Sequence, residues 1–101
     1  MALLGPHLLY TDTNLAQVST GAGVYALLDG DEVIFYGWST DVPGLRARLV
    51  AHRKGNCTQK ATHFQIEIIR GDRSPSERRA ELLRQHLSEH GAYPRCNRLG
   101  S

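Results

Sequence analysis

The side chains best able to do chemistry fall into three groups. Tyr25 and Tyr36 carry hydroxyls inside two glycine-bearing tripeptides, Gly23-Val24-Tyr25 and Phe35-Tyr36-Gly37. Residues 46 to 60 hold Arg46, Arg48, Arg53, Lys54 and Lys60 with no acid among them, and His52 lies in the same stretch. Arg70, Arg73, Arg78, Arg79 and Arg84 form a further cluster, mixed with acids that include Glu77 and Glu81. A local basic face of this kind can meet a polyanion even when the whole chain is near neutral. The net charge is only +2, from 12 Lys and Arg against 10 Asp and Glu, so distribution carries the argument and total charge does not. The plain alternative for any charge run is a solvated surface.

Other chemistries fit less well. Cys57, His63, Cys96 and His52 could be imagined as a zinc set, but no paired Cys-x-x-Cys spacing supports it. No glycine-flanked serine offers a nucleophile elbow for a Ser-His-Asp or Cys-His hydrolase. No long apolar run marks a signal peptide or a membrane span, so a cytoplasmic chain with two free, buried thiols is the expectation.

At 101 residues the chain suits a single domain spanning 1–101 with a modest core. Thr11 to Val18 reads as a short helix capped by Thr11 or Thr13, within an otherwise irregular first 21 residues. Gly23 to Leu28 and Val33 to Gly37 read as strands, and Asp29-Gly30-Asp31 between them predicts an antiparallel hairpin. Ser39-Thr40-Asp41 offers helix caps, Pro43 suits a first turn, and Leu45, Leu49 and Val50 recur at helical spacing until Gly55-Asn56. From Thr62 to Arg70, Phe64, Ile66 and Ile68 alternate with His63, Gln65 and Glu67, which predicts a third strand. Ser74-Pro75 opens a second long helix that runs to about His90, with Ala80, Leu83 and Leu87 on one face and Gly91 as its stop. The expected fold is a small α/β (α+β) domain: a three-stranded, mostly antiparallel sheet flanked by helices.

The two tripeptides on the hairpin arms resemble those that name the GIY-YIG nuclease family. Leu45-Arg46-Ala47-Arg48-Leu49 with His52 resembles the family's arginine helix, and Pro94-Arg95-Cys96-Asn97 its closing Pro-x-x-Asn. The resemblance covers about residues 21–97. It implies a metal-dependent DNA endonuclease. One divalent ion, Mg²⁺ or Mn²⁺, held by a helical glutamate would support the leaving oxygen, while tyrosine, arginine and histidine act on water and phosphate. Carried over residue by residue, Tyr25, Arg48 and His52 become catalytic candidates, with Tyr36 as a substitute for the missing second tyrosine. Gly37 lets the backbone pass close by; with Trp38 and the basic residues Arg46, Arg53 and Lys54 it is a candidate nucleic-acid contact, and Glu81 is the candidate metal ligand if the helix register shifts. The implied partner is DNA, including branched or damaged forms, with a homodimer or a protein partner as sources of specificity.

Departures from the pattern point to an alternative. Phe35 stands where the second tyrosine is wanted, and Tyr36 should face the opposite side of the sheet. Trp38 replaces a basic or small residue, and the link Thr40 to Gly44 is longer than usual. Counting back from Leu82-Leu83 puts Arg79 at the glutamate position. Glu81 and Glu77 lie two residues to either side, off that helical face unless the register shifts. The alternative is a catalytically degenerate GIY-YIG domain that binds nucleic acid or a protein partner.

Overall fold

Short apolar runs separated by Gly, Asp and Pro build a sheet first and cover it with helices second. The computed structural model describes residues 5–99. In chain order the elements are β1 (Leu8–Leu9), α1 (Asp12–Ala16), β2 (Gly23–Asp29), β3 (Glu32–Ser39), α2 (Leu45–His52), β4 (His63–Ile68) and α3 (Pro75–His90). Single 3₁₀ turns cover Thr58–Lys60 and Asn97–Leu99. The sheet has four strands in the order β1-β4-β2-β3, and every neighbouring pair is antiparallel. Three strands were expected; the additional one is β1, whose Leu8 and Leu9 pair with Phe64 and His63. Two residues carry no alternating pattern, so only a partner far away in sequence makes them a strand.

The hairpin forms as its turn chemistry dictates. Asp29 pairs with Glu32 across Gly30-Asp31, and Gly30 adopts φ 63°, a left-handed conformation glycine enters without steric cost. Leu27 pairs with Phe35 while Leu28 pairs with Val33, leaving Ile34 as an additional residue in β3. This bulge sends both Ile34 and Phe35 into one core cluster, together with Tyr25, Leu27 and Phe64. Leu15 and Val18, in and just after α1, and Leu45 and Leu49 of α2 complete that cluster. Val24, Ala26, Leu28 and Tyr36 face the opposite side, where α3 covers them with Leu82. Leu82 is the buried anchor of α3, and Leu83 packs beside it. Leu87, expected on the inner face, is 40% exposed.

Helix boundaries show the capping chemistry expected, with one displacement. The Asn14 amide donates to Thr11 Oγ1, and the Glu77 amide donates to Ser74 Oγ ahead of Pro75. Gly91 ends α3 with φ 77°. Helix α2, however, is not capped by Ser39-Thr40-Asp41 in sequence. It begins after Gly44, and Ser39 Oγ reaches across the loop to accept the Gly44 amide at 3.1 Å. Gly44 has φ 92°, and a Cβ there would lie 2.0 Å from the Thr20 carbonyl oxygen.

The C-terminal segment closes the outer edge of β3. The Cys96 amide donates to the Ile34 carbonyl. Asn97 then clamps Tyr36: Oδ1 accepts its amide at 2.9 Å and Nδ2 donates to its carbonyl at 3.1 Å. The two cysteines expected as free thiols are instead joined, Cys57 to Cys96. The disulfide closes a sequence separation of 39 residues and ties the loop after α2 to the segment that covers β3. In the chain-entropy picture a loop of that length is worth about 4 kcal/mol. No helix among the described residues is long and apolar enough to cross a membrane.

Asn97→Ala should lower stability by about 2 kcal/mol, because two partly buried main-chain groups lose their partner at once. Asn97→Asp should retain the acceptor and lose only the donor, giving a smaller drop. Denaturant midpoints of both variants check this; equal midpoints for wild type and Asn97→Ala would show that solvent replaces the clamp freely.

Candidate functional site

The site is built around a missing side chain. Tyr25 lies mid-strand on β2, opposite Gly37 of β3, and is 2% exposed. Its ring crosses the space a side chain on residue 37 would fill: a Cβ there would stand 2.3 Å from both Tyr25 Cζ and Oη. Glycine at 37 therefore lets the phenol reach across the outermost strand. The Tyr25 hydroxyl meets His52 Nε2 at 2.6 Å. His52 ends α2, its carbonyl accepts from Thr58 Oγ1, and its ring lies 4.8 Å from the Phe35 ring. One turn earlier on the same helix stands Arg48.

A second cation enters from the other side of the sheet. Arg79 projects from α3 and joins Tyr25, Phe35, Gly37, Trp38, Arg48 and His52 in lining a cavity of about 220 Å³. Trp38 packs against the α3-side cluster and forms part of the cavity wall. The Arg79 Nε is buried and has no hydrogen-bond partner. Among the described residues no ion pair engages Arg48 or Arg79.

These surroundings fix the charge states. Burial pushes the Tyr25 phenol far above its ordinary 10.0; Arg48 pulls against this, Tyr10 adds a push and Arg79 a pull. His52 is held below its ordinary 6.5, first by burial and then by Arg48. At neutral pH the pocket thus presents two guanidinium groups, a neutral imidazole and a neutral phenol, with no carboxylate in its wall. A divalent cation would face two positive charges and find only one nitrogen and one phenol oxygen, which does not fit the oxygen-rich coordination of Mg²⁺ or Mn²⁺. No group of three or more His, Cys, Asp or Glu side chains suited to a metal exists among the described residues. The arrangement suits an anion with acceptor oxygens.

The structure gathers Tyr25, Gly37, Trp38, Arg48 and His52 and sets the other expected site residues elsewhere. Tyr36 faces α3, edge-on to His86, because it follows Phe35 on a pleated strand. Glu81 accepts from Arg78 and lines an outer groove along α3 with Glu77. Two residues from Arg79 is about 200° of helix rotation, so no register shift places both on one face. Arg78 also holds Glu67 through two nitrogens, at 2.9 and 3.1 Å. Arg46 donates twice to the Val18 carbonyl, and Arg53 pairs with Asp12 while lying over the Tyr10 ring. Both therefore staple α2 to the segment before β2. Lys54 is exposed in the turn after α2. Arg79 had not been assigned to the site; the count back from Leu82-Leu83 singled out its position, and the cation there is the signal.

Gly37→Ala should destabilise by about 2 kcal/mol or more, since a buried ring blocks the new methyl. The Tyr25–His52 hydrogen bond should be lost with it, visible as a shift of the His52 ring resonances. Stability should also be flat between pH 6.5 and 10.0 as far as this pair decides it. Below 6.5 the unfolded state takes up the proton that folded His52 resists, and stability falls. Above 10.0 the unfolded state releases the proton that folded Tyr25 retains, and stability falls again. His52→Gln should flatten the start of the acid limb and Tyr25→Phe should shallow the alkaline one; unchanged limbs would refute these charge states. No family model, no curated protein and no solved structure matches this chain.

Proposed function

We propose that the domain binds the phosphate backbone of nucleic acid through the Tyr25–Arg48–His52–Arg79 pocket, on a GIY-YIG-like architecture without the family's metal-dependent cutting. Support for the architecture is the strand, strand, helix, strand, helix order beneath the paired tripeptides and the terminal Pro-x-x-Asn. The observation that carries the functional reading is Arg79. It occupies the cavity wall where a metal-holding carboxylate would be wanted, and among the described residues no ion pair engages it. A phosphate supplies the missing countercharge, and a guanidinium binds it with both charge and geometry. Arg48 in the pocket and the exposed Lys54 in the turn after α2 add sequence-independent attraction for DNA.

The second reading, a metal-dependent DNA endonuclease, draws on one observation: Tyr25, Arg48 and His52 line one cavity. The Cys57–Cys96 disulfide bears on the expected cytoplasmic setting, because disulfides persist in oxidising compartments.

Duplex and branched DNA should bind weakly, with affinity falling as salt rises. Arg48→Ala with Arg79→Ala together should weaken binding by about tenfold or more. Nicking of plasmid DNA should be absent with Mg²⁺ and with Mn²⁺. Chelator-sensitive nicking that disappears in Tyr25→Phe would overturn the binding reading and restore the nuclease one.

A further inference from the structure

Resting on the nucleic-acid reading above, we infer that the pocket takes the phosphorylated end of a strand, a phosphomonoester dianion, in preference to an internal phosphodiester. Charge is the first argument. Two guanidinium groups face the cavity from opposite sides of the sheet, and no carboxylate in its wall offsets them. An internal phosphodiester brings one negative charge, whereas a phosphomonoester carries about −1.5 to −2 near neutral pH. The pair Arg48 and Arg79 matches the second. His52, held neutral by burial and by Arg48, adds no third charge.

Donor supply is the second argument. Arg79 lines the cavity, and no carboxylate there takes up its guanidinium donors. Arg46, Arg53, Arg78 and Arg95 are each engaged by protein acceptors, so their guanidinium groups are anchored in the fold. Among the described residues Arg48 and Arg79 have no such ion pairs. A terminal phosphate exposes three non-bridging oxygens, one more than a diester, and so can serve two arginines together with a neutral hydroxyl.

Shape is the third. At about 220 Å³ the cavity holds the volume of roughly seven waters, enough for one phosphate and part of its sugar. Trp38, partly exposed, stands in the same wall, an aromatic side chain of the kind on which a terminal base can stack. Phosphate and aromatic platform side by side describe the end of a nucleic-acid strand.

The test measures binding of the full chain to short single-stranded oligonucleotides of one sequence that end in 5′-phosphate, 3′-phosphate or hydroxyl groups only. Fluorescence anisotropy at fixed salt reads the affinity. One phosphate-ended form should bind at least about tenfold tighter than the hydroxyl-ended form, the scale of one charge-assisted contact. Arg79→Gln, checked for an unchanged circular dichroism spectrum, should erase the preference and leave residual salt-dependent binding. The wild-type comparison stands by itself if that variant does not fold. Equal, salt-dependent binding of all three oligonucleotides would overturn end recognition while leaving the nucleic-acid reading intact. Binding of none would overturn both. Tighter binding of a phosphotyrosine or phosphoserine peptide than of any oligonucleotide would overturn the strand end as the ligand.

Discussion

The structure turns on one contact, the Tyr25 phenol lying across Gly37 to reach His52. It joins three elements at a single point. Strand β2 supplies the ring, β3 supplies the gap, and α2 supplies the hydrogen-bond partner. Because Tyr25 is buried on a central strand, its hydroxyl cannot swing away without breaking the core that Leu27, Phe35 and Phe64 share with it. His52 is fixed in turn, and Arg48 with it on the same helix. Arg46 and Arg53 then bind α2 to the chain before β2, so that the cationic face is held by cations that do not themselves line the pocket. The neutral phenol and neutral imidazole follow from the same burial.

Much of this architecture was legible because local chemistry and long-range packing agree. The Asp29-Gly30 turn, the alternation from His63 to Ile68, and Ser74-Pro75 followed by Gly91 each specify an element by themselves. What escaped depends on distant partners. Leu8-Leu9 is a strand only because β4 is there. Helix α2 starts only after Gly44, whose amide Ser39 Oγ accepts across a loop that doubles back, so a linear reading of Ser39-Thr40-Asp41 as caps falls short of the helix. Cys57 and Cys96 carry no motif, and only the folded arrangement of the post-α2 loop against β3 brings them together.

The site was legible in part for a similar reason. Tyr25, Gly37, Arg48 and His52 stand at spacings set by two strands and one helix, so position in sequence translates directly into position in space. Glu81 lies away from the pocket because two residues along α3 turn a side chain to the other face, where Arg78 donates to it. Tyr36 lies away from it by the same logic on a strand, whose pleat sends it toward α3. Arg79 reaches the pocket from α3, so its wall carries two guanidinium groups and no carboxylate.

The C-terminal cover over β3 also governs how the molecule behaves toward copies of itself. Strand β3 is the outermost of the sheet, eight residues long and rich in apolar side chains. Such a strand, left bare, is a template for intermolecular β-pairing. Cys96 and Asn97 occupy its main-chain groups at Ile34 and Tyr36, and the disulfide holds that cover down. Chain termination before residue 94, or reduction combined with fraying of the last turn, would expose this edge. The same few residues that complete the fold therefore guard its solubility, and aggregation would be the first visible sign of their loss.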